Sequence, residues 1–169
     1  MANIYENYQV LDELNKQYNQ QQRENWRKNL EENVLKSSIL PNERLKDNGY
    51  VIINGNHENL VITASDTSIR GGTATHVEEV SIQSNCRLAN VYIDKTTLIL
   101  ADNTAIFENC VFDDVITMEA NAKAHFIGCL FRELSAINNA GLAANAYVLG
   151  CSRKSGVAHT NVTVIAETT

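Results

Sequence analysis

Ala101-Asp102-Asn103-Thr104-Ala105-Ile106-Phe107-Glu108-Asn109-Cys110 aligns without a gap on Ala120-Asn121-Ala122-Lys123-Ala124-His125-Phe126-Ile127-Gly128-Cys129. A third copy, Ala144-Asn145-Ala146-Tyr147-Val148-Leu149-Gly150-Cys151, keeps an alanine five residues before the cysteine and an apolar residue three before it. Self-similarity at a near-constant interval marks a stacked architecture. The alanine and the Phe107, Phe126 or Val148 that follows it share one face of a strand, because side chains alternate with period two. Asn or Gly just before the cysteine accepts the left-handed backbone of a tight corner. Past that corner the cysteine turns inward again, where a small thiol behaves as a buried hydrophobe.

Working outward, Cys86, Cys110, Cys129 and Cys151 lie 24, 19 and 22 residues apart. Such an interval is about one circuit of a parallel β-helix. The four cysteines are therefore expected to stack, with Asn85-Cys86 as a weaker first copy of the motif and Leu88, Phe112 and Phe131 following inward. Asn59–Thr63 and Val80–Ile82 read as earlier strands, with Arg70-Gly71-Gly72-Thr73 as a turn between them. Asn161–Ile165 reads as a last one. Many of the 21 asparagines fit corners. The expected fold is mainly β: a right-handed parallel β-helix of about five coils over residues 50–169. An antiparallel sandwich also uses short strands at regular spacing, but it does not explain the returning corner residue.

Residues 1–36 read as an N-terminal α-helical arm free of Pro and Gly. Its larger apolar residues, Ile4, Tyr8, Leu11, Leu14, Tyr18, Trp26 and Leu30, form a thin stripe interrupted by Asn19-Gln20-Gln21-Gln22. A stripe this narrow stabilises a lone helix poorly. Either the arm packs on its own domain or other subunits cover the stripe, and these seven residues are the candidates for oligomerisation or docking. Residues 37–49 read as a connector, because the single proline, Pro41, and Asp47-Asn48-Gly49 punctuate it.

A formal charge of −6 and a pI near 5.2 argue against a nucleic-acid surface. Residues 49–169 carry 7 basic and 12 acidic side chains, nearly all of the negative excess. No window is long and apolar enough to span a bilayer. The opening Met-Ala-Asn-Ile-Tyr-Glu lacks the regions of a secretory signal, which predicts synthesis in a cytoplasm. Disulfides are not expected there, and no cysteine pair has metal or redox spacing.

Parallel β-helices commonly carry polysaccharide lyases and hydrolases, so Asp94, Asp102, Glu108, Asp113, Asp114, Glu119 and Glu133 are the candidate acids. Catalysis needs two carboxyls at a defined separation, or a base with a cation. Asp113 and Asp114 would face opposite ways on a strand, and Asp94 could pair with Lys95, so no cleft is singled out. His57, His76, His125 and His159 stand singly, and His125 is expected to face outward. No metal pair, nucleophile elbow or P-loop occurs. Arg23, Arg27 and Lys28 are mixed with Glu24, Glu31 and Glu32, as on a solvated helix face. No catalytic residue, cofactor or metal is expected.

A helical arm, a connector and a coiled β body rich in Asn, Thr and Ala resemble phage virion structural proteins: tailspikes, fibres and head-decoration proteins. The resemblance is architectural and covers the whole chain. It implies a homotrimer attached through its arm to a neighbour such as the major capsid protein, found in the virion and made in the host cytoplasm. Receptor-degrading spikes are far longer, which favours a short decoration or cement protein over an enzyme. A short tail fibre, spike or adaptor is the alternative position. A β-helical carbohydrate-binding or carbohydrate-cleaving protein is the rival from another class.

Overall fold

The computed structural model describes residues 10–25, 45–72 and 74–169. The chain divides into two units, Met1–Lys36 and Ser37–Thr169. In the first, residues 10–25 are helical and exposed throughout. Leu11, Leu14 and Tyr18 lie on this helix at 59, 55 and 61% exposure. Ile4, Tyr8, Trp26, Leu30 and the seam around Pro41 fall outside the described residues.

The second unit is a parallel β-solenoid of about six turns, one more than the sequence reading expected. In chain order the first coil holds β1 (Tyr50–Ile53) and β2 (Asn56–Ile62), and the second β3 (Thr67–Gly71) and β4 (His76–Ile82). The third holds β5 (Cys86–Ala89), β6 (Tyr92–Ile93) and β7 (Thr97–Ile99). The fourth holds β8 (Thr104–Glu108), β9 (Val111–Phe112) and β10 (Ile116–Met118). The fifth holds β11 (Lys123–Ile127), β12 (Leu130–Phe131) and β13 (Ile137–Asn139). β14 (Ala146–Arg153) makes the sixth, and β15 (Thr163–Thr168) pairs with β14 beyond it. Arg70 and Gly71 close β3, so the turn expected there begins later.

Every pairing between these strands is parallel, and each joins one coil to the next. On the first face Ile69, Leu88, Phe107, Phe126 and Val148 are successive partners. Phe107 and Phe126 stack with centroids 5.1 Å apart and planes 8° from parallel. That separation matches the ~4.8 Å spacing of neighbouring strands, so ring stacking and backbone pairing reinforce one another. On the second face Phe112 and Phe131 stack at 5.6 Å, and Phe107 meets Phe112 edge-on at 5.3 Å. All four rings are fully buried. The third face contributes Leu60, Val80, Ile116 and Ile137, with Ile62, Ile82, Ile99 and Met118 beside them.

The corner between the first two faces needs a positive φ. Asn90, Asn109, Gly128 and Gly150 occupy it with φ of 56, 50, 60 and 60°. Asn and Gly are the residues that enter this region at least cost. Their N–H groups ladder upward: Asn90 donates to Glu108 O, Asn109 to Ile127 O and Gly128 to Leu149 O. Asn109 Oδ1 also lies 2.6 Å from where a Cβ on Gly128 would stand, so a side chain there would have to displace the Asn109 amide.

The cysteine row needs one correction. Cys110, Cys129 and Cys151 do stack, since Leu130 N bonds Cys110 O and Ser152 N bonds Cys129 O. Cys86 does not join them: it pairs with Ala105, in the row that continues to Ala124 and Ala146. Leu88 accordingly belongs beneath Phe107 and not beneath Phe112. The corner equivalent to Asn109 is Asn90, and Val91 follows it where Cys110 follows Asn109. The 24-residue interval from Cys86 to Cys110 is therefore one circuit of 19 residues, from Val91 to Cys110, plus a five-residue shift along the strand.

The far end of the core is closed by polar groups. Asn139, 3% exposed, continues the row of Met118 and donates to Leu142 O and Asn161 O. His159 and Glu167 side chains are 4 and 5% exposed and joined at 2.8 Å, and Arg153 Nε reaches Glu167 at 2.8 Å. Val164 of β15 is the register partner of Val148 and continues its row beyond the sixth coil at 50% exposure, while Ile165, at the register shift of the ladder, is 61% exposed.

Candidate functional site

The cysteines carry structural hydrogen bonds. Cys110 Sγ donates to Leu88 O at 3.4 Å, Cys129 Sγ to Phe107 O at 3.4 Å and Cys151 Sγ to Phe126 O at 3.1 Å. Thr75 does the same for Ile53 O at 2.9 Å with its hydroxyl. Four of the row's members thus add a side-chain donor to a small inward group, while Val91 fills the same position with an apolar group alone. Burial raises the Cys86 thiol to about 12. Cys129 is raised mainly by its hydrogen bond with Cys110, and Cys151 by its bond with Cys129 and by burial. Thiols held protonated are poor nucleophiles and metal ligands.

Of the candidate acids Asp94 and Asp113 share one row on adjacent coils, and the others are engaged separately. Glu108 binds Arg87 on the first face, and Glu133 pairs with Lys154 at 2.9 Å. Asp102 sits at a corner with φ 63°, and Glu119 accepts from Ala101 N. Asp114 accepts from the backbone N of Val115. Lys95 pairs with Glu78 at 2.6 Å, so the expected Asp94–Lys95 pair is replaced by Asp94 with His76 at 3.3 Å.

One ordered surface does emerge, along β6, β9, β12 and their extensions. Its outward residues form two rows. The row nearer the corner runs Asn56, His76, Tyr92, Val111, Leu130, Ser152. Two residues further along each coil comes a charged row: Glu58, Glu78, Asp94, Asp113, Arg132, Lys154. Four carboxylates are followed by two cations along the stack. Like charges on adjacent strands repel at this spacing, and the face carries compensations. The His76 and Tyr92 rings stack at 4.5 Å, the Tyr92 hydroxyl donates to Asp113, and Arg132 lies 3.5 Å from Asp113 and 5.6 Å over the Tyr92 ring. The hydrogen bond to Asp113, with partial burial, raises the Tyr92 phenol.

At the acidic end Asn56, His57, Glu58, His76, Glu78 and Asp94 line a hollow of about 570 Å³. His57 is 6% exposed and its Nε2 lies 2.9 Å from Asn54 O. Among the described residues no group of His, Cys, Asp and Glu is arranged to hold a metal ion, and no helix is long and apolar enough to cross a membrane. The charged row is not legible in the sequence because its members differ in residue type and sign and come together only at circuit spacing. Comparisons with protein-family models, with curated proteins and with solved structures found no match.

Proposed function

We propose that this chain is a non-enzymatic structural protein of a phage particle, a homotrimeric decoration or cement subunit on the capsid exterior. In this reading the arm grips a neighbour such as the major capsid protein, and neither nucleic acid nor membrane is a partner. The observation that carries it is the helix at residues 10–25, whose Val10, Leu11, Leu14 and Tyr18 are 59, 59, 55 and 61% exposed. An apolar stripe in this state gains most from a partner surface. The body supports the same reading, since its four phenylalanines are spent on internal stacks and several of its outer charges pair between coils. A short tail fibre or adaptor would use the same parts in another position.

The test is uptake by particles. Particles stripped of this protein should rebind the full chain and fail to rebind one lacking residues 1–36, as read by mass spectrometry of washed particles. The truncated chain's melting curve reports that the body still folds. Equal uptake of both chains would contradict the reading, as would absence of the protein from particles produced by the genome that encodes it.

The hollow beside Glu58, Glu78 and Asp94 favours one second reading, a carbohydrate-binding or carbohydrate-cleaving protein. A glycan array and a reducing-sugar assay test it, and glycan binding lost on Glu78→Gln would move the function there.

A further inference from the structure

We propose that a second copy of this chain docks antiparallel on the two-row face formed by β6, β9, β12 and their extensions. The argument is the order of charges along the stack. Glu58, Glu78, Asp94 and Asp113 occupy successive coils, and Arg132 and Lys154 the last two. A two-fold axis lying along the strand direction, between the third and fourth coils, reverses the stack and lays each row on itself. Glu58 then meets the partner's Lys154, and Glu78 meets the partner's Arg132.

The row nearer the corner is self-complementary under the same operation. Tyr92 meets the partner's Val111, His76 meets the partner's Leu130, and Asn56 meets the partner's Ser152. Apolar and aromatic groups thus fall at the centre and polar ones at the edge, as in ordinary interfaces. Leu130 is 38% exposed in the single chain and gains a cover. Only Asp94 and Asp113 meet as like charges, and both already hold a partner, in His76 and in Tyr92 with Arg132; Glu78, Arg132 and Lys154 also hold partners within the chain, in Lys95, Asp113 and Glu133, and share them with the second copy. A parallel two-fold pairing would instead set Tyr92 against Asp94 and Leu130 against Arg132, which wastes both rows. The face therefore selects one orientation and closes on one partner, an isologous contact.

The face is small: two rows wide and, at ~4.8 Å per coil, about 25–30 Å long. Its association is accordingly weak and salt-sensitive. This inference shares with the proposed function only the premise that copies associate, and it uses a surface distinct from the arm.

The experiment is sedimentation equilibrium of the full chain at low and high salt, for the wild type, Glu58→Lys, Lys154→Glu and the double variant. Melting curves recorded in parallel show that all four fold. The expected result is a doubling of mass at low salt in the wild type. Each single reversal weakens it about tenfold or more, and the double variant restores it, because its reversed charges again face each other. No doubling in the wild type, doubling unchanged in the single variants, or no restoration in the double variant would overturn the proposal. A base unit of one chain instead of three, with the doubling intact, would count against the arm-built trimer alone.

Discussion

Thr97 packs between Val80 and Ile116 in the third-face row with its hydroxyl buried and without a hydrogen-bond partner. A buried hydroxyl in that state costs about 1–3 kcal/mol of desolvation. Thr97→Val keeps the shape and should raise stability by about 1 kcal/mol in urea unfolding, and a loss would show that the hydroxyl is satisfied. The cysteines give a pH dependence of definite sign. Cys86 loses its proton near 9.0 when unfolded and near 12 when folded, and Tyr92 is raised in the same sense. A raised folded value means the stabilisation is complete below pH 9 and is lost as pH climbs toward about 12, by up to roughly 1.4 kcal/mol per pH unit for one group. Cys86→Ala, the residue found at this row position in Ala105 and Ala124, should shallow the alkaline limb. A wild-type stability curve flat to about pH 11 would contradict the buried thiol. At this scale the motif was legible for Phe107, Phe126 and Val148, because period-two alternation fixes which side they face. The row of Cys86 was not legible, because a cysteine fits any small inward site and only the ladder tells the Ala105 row from the Cys110 row.

Among elements, β15 is the test case. Its Val164 and Ile165 remain 50 and 61% exposed and so contribute little burial, and register shifts interrupt its ladder with β14. What anchors it is Glu167, held by His159 at 2.8 Å and Arg153 at 2.8 Å. His159 in turn accepts from Ile137 N at 3.1 Å, tying the fifth coil to the last strand. Removing one member of a buried pair leaves the others uncompensated, at a cost of about 3 kcal/mol or more. Glu167→Ala should therefore speed amide exchange across Thr163–Thr168 while amides around Phe107 stay protected. Uniform protection in the variant would show that backbone pairing alone holds the strand. The sequence marked a last strand here because Val162, Val164 and Ile165 suit one. It could not show the anchor, since Arg153, His159 and Glu167 come from separate segments that only the coil brings together.

Taken whole, the body is a stack in which each coil contacts its neighbours above and below, so stability accrues coil by coil. The parallel β architecture was legible because the Ala-x-Phe-x-Asn/Gly-Cys motif encodes strand, corner and strand in one phrase. The ordered charge row was not, because residues at 16- to 22-residue intervals look unrelated until the coil is drawn. The account stands on residues one circuit apart lying in contact. The most direct measurement is nuclear Overhauser contacts on a labelled chain. The account predicts that Phe107 touches Leu88 on one side and Phe126 on the other, each 19 residues away, with a parallel ladder through Arg87, Ile106 and His125. Antiparallel cross-strand contacts, or Phe107 and Phe126 on separate facing sheets, would contradict it.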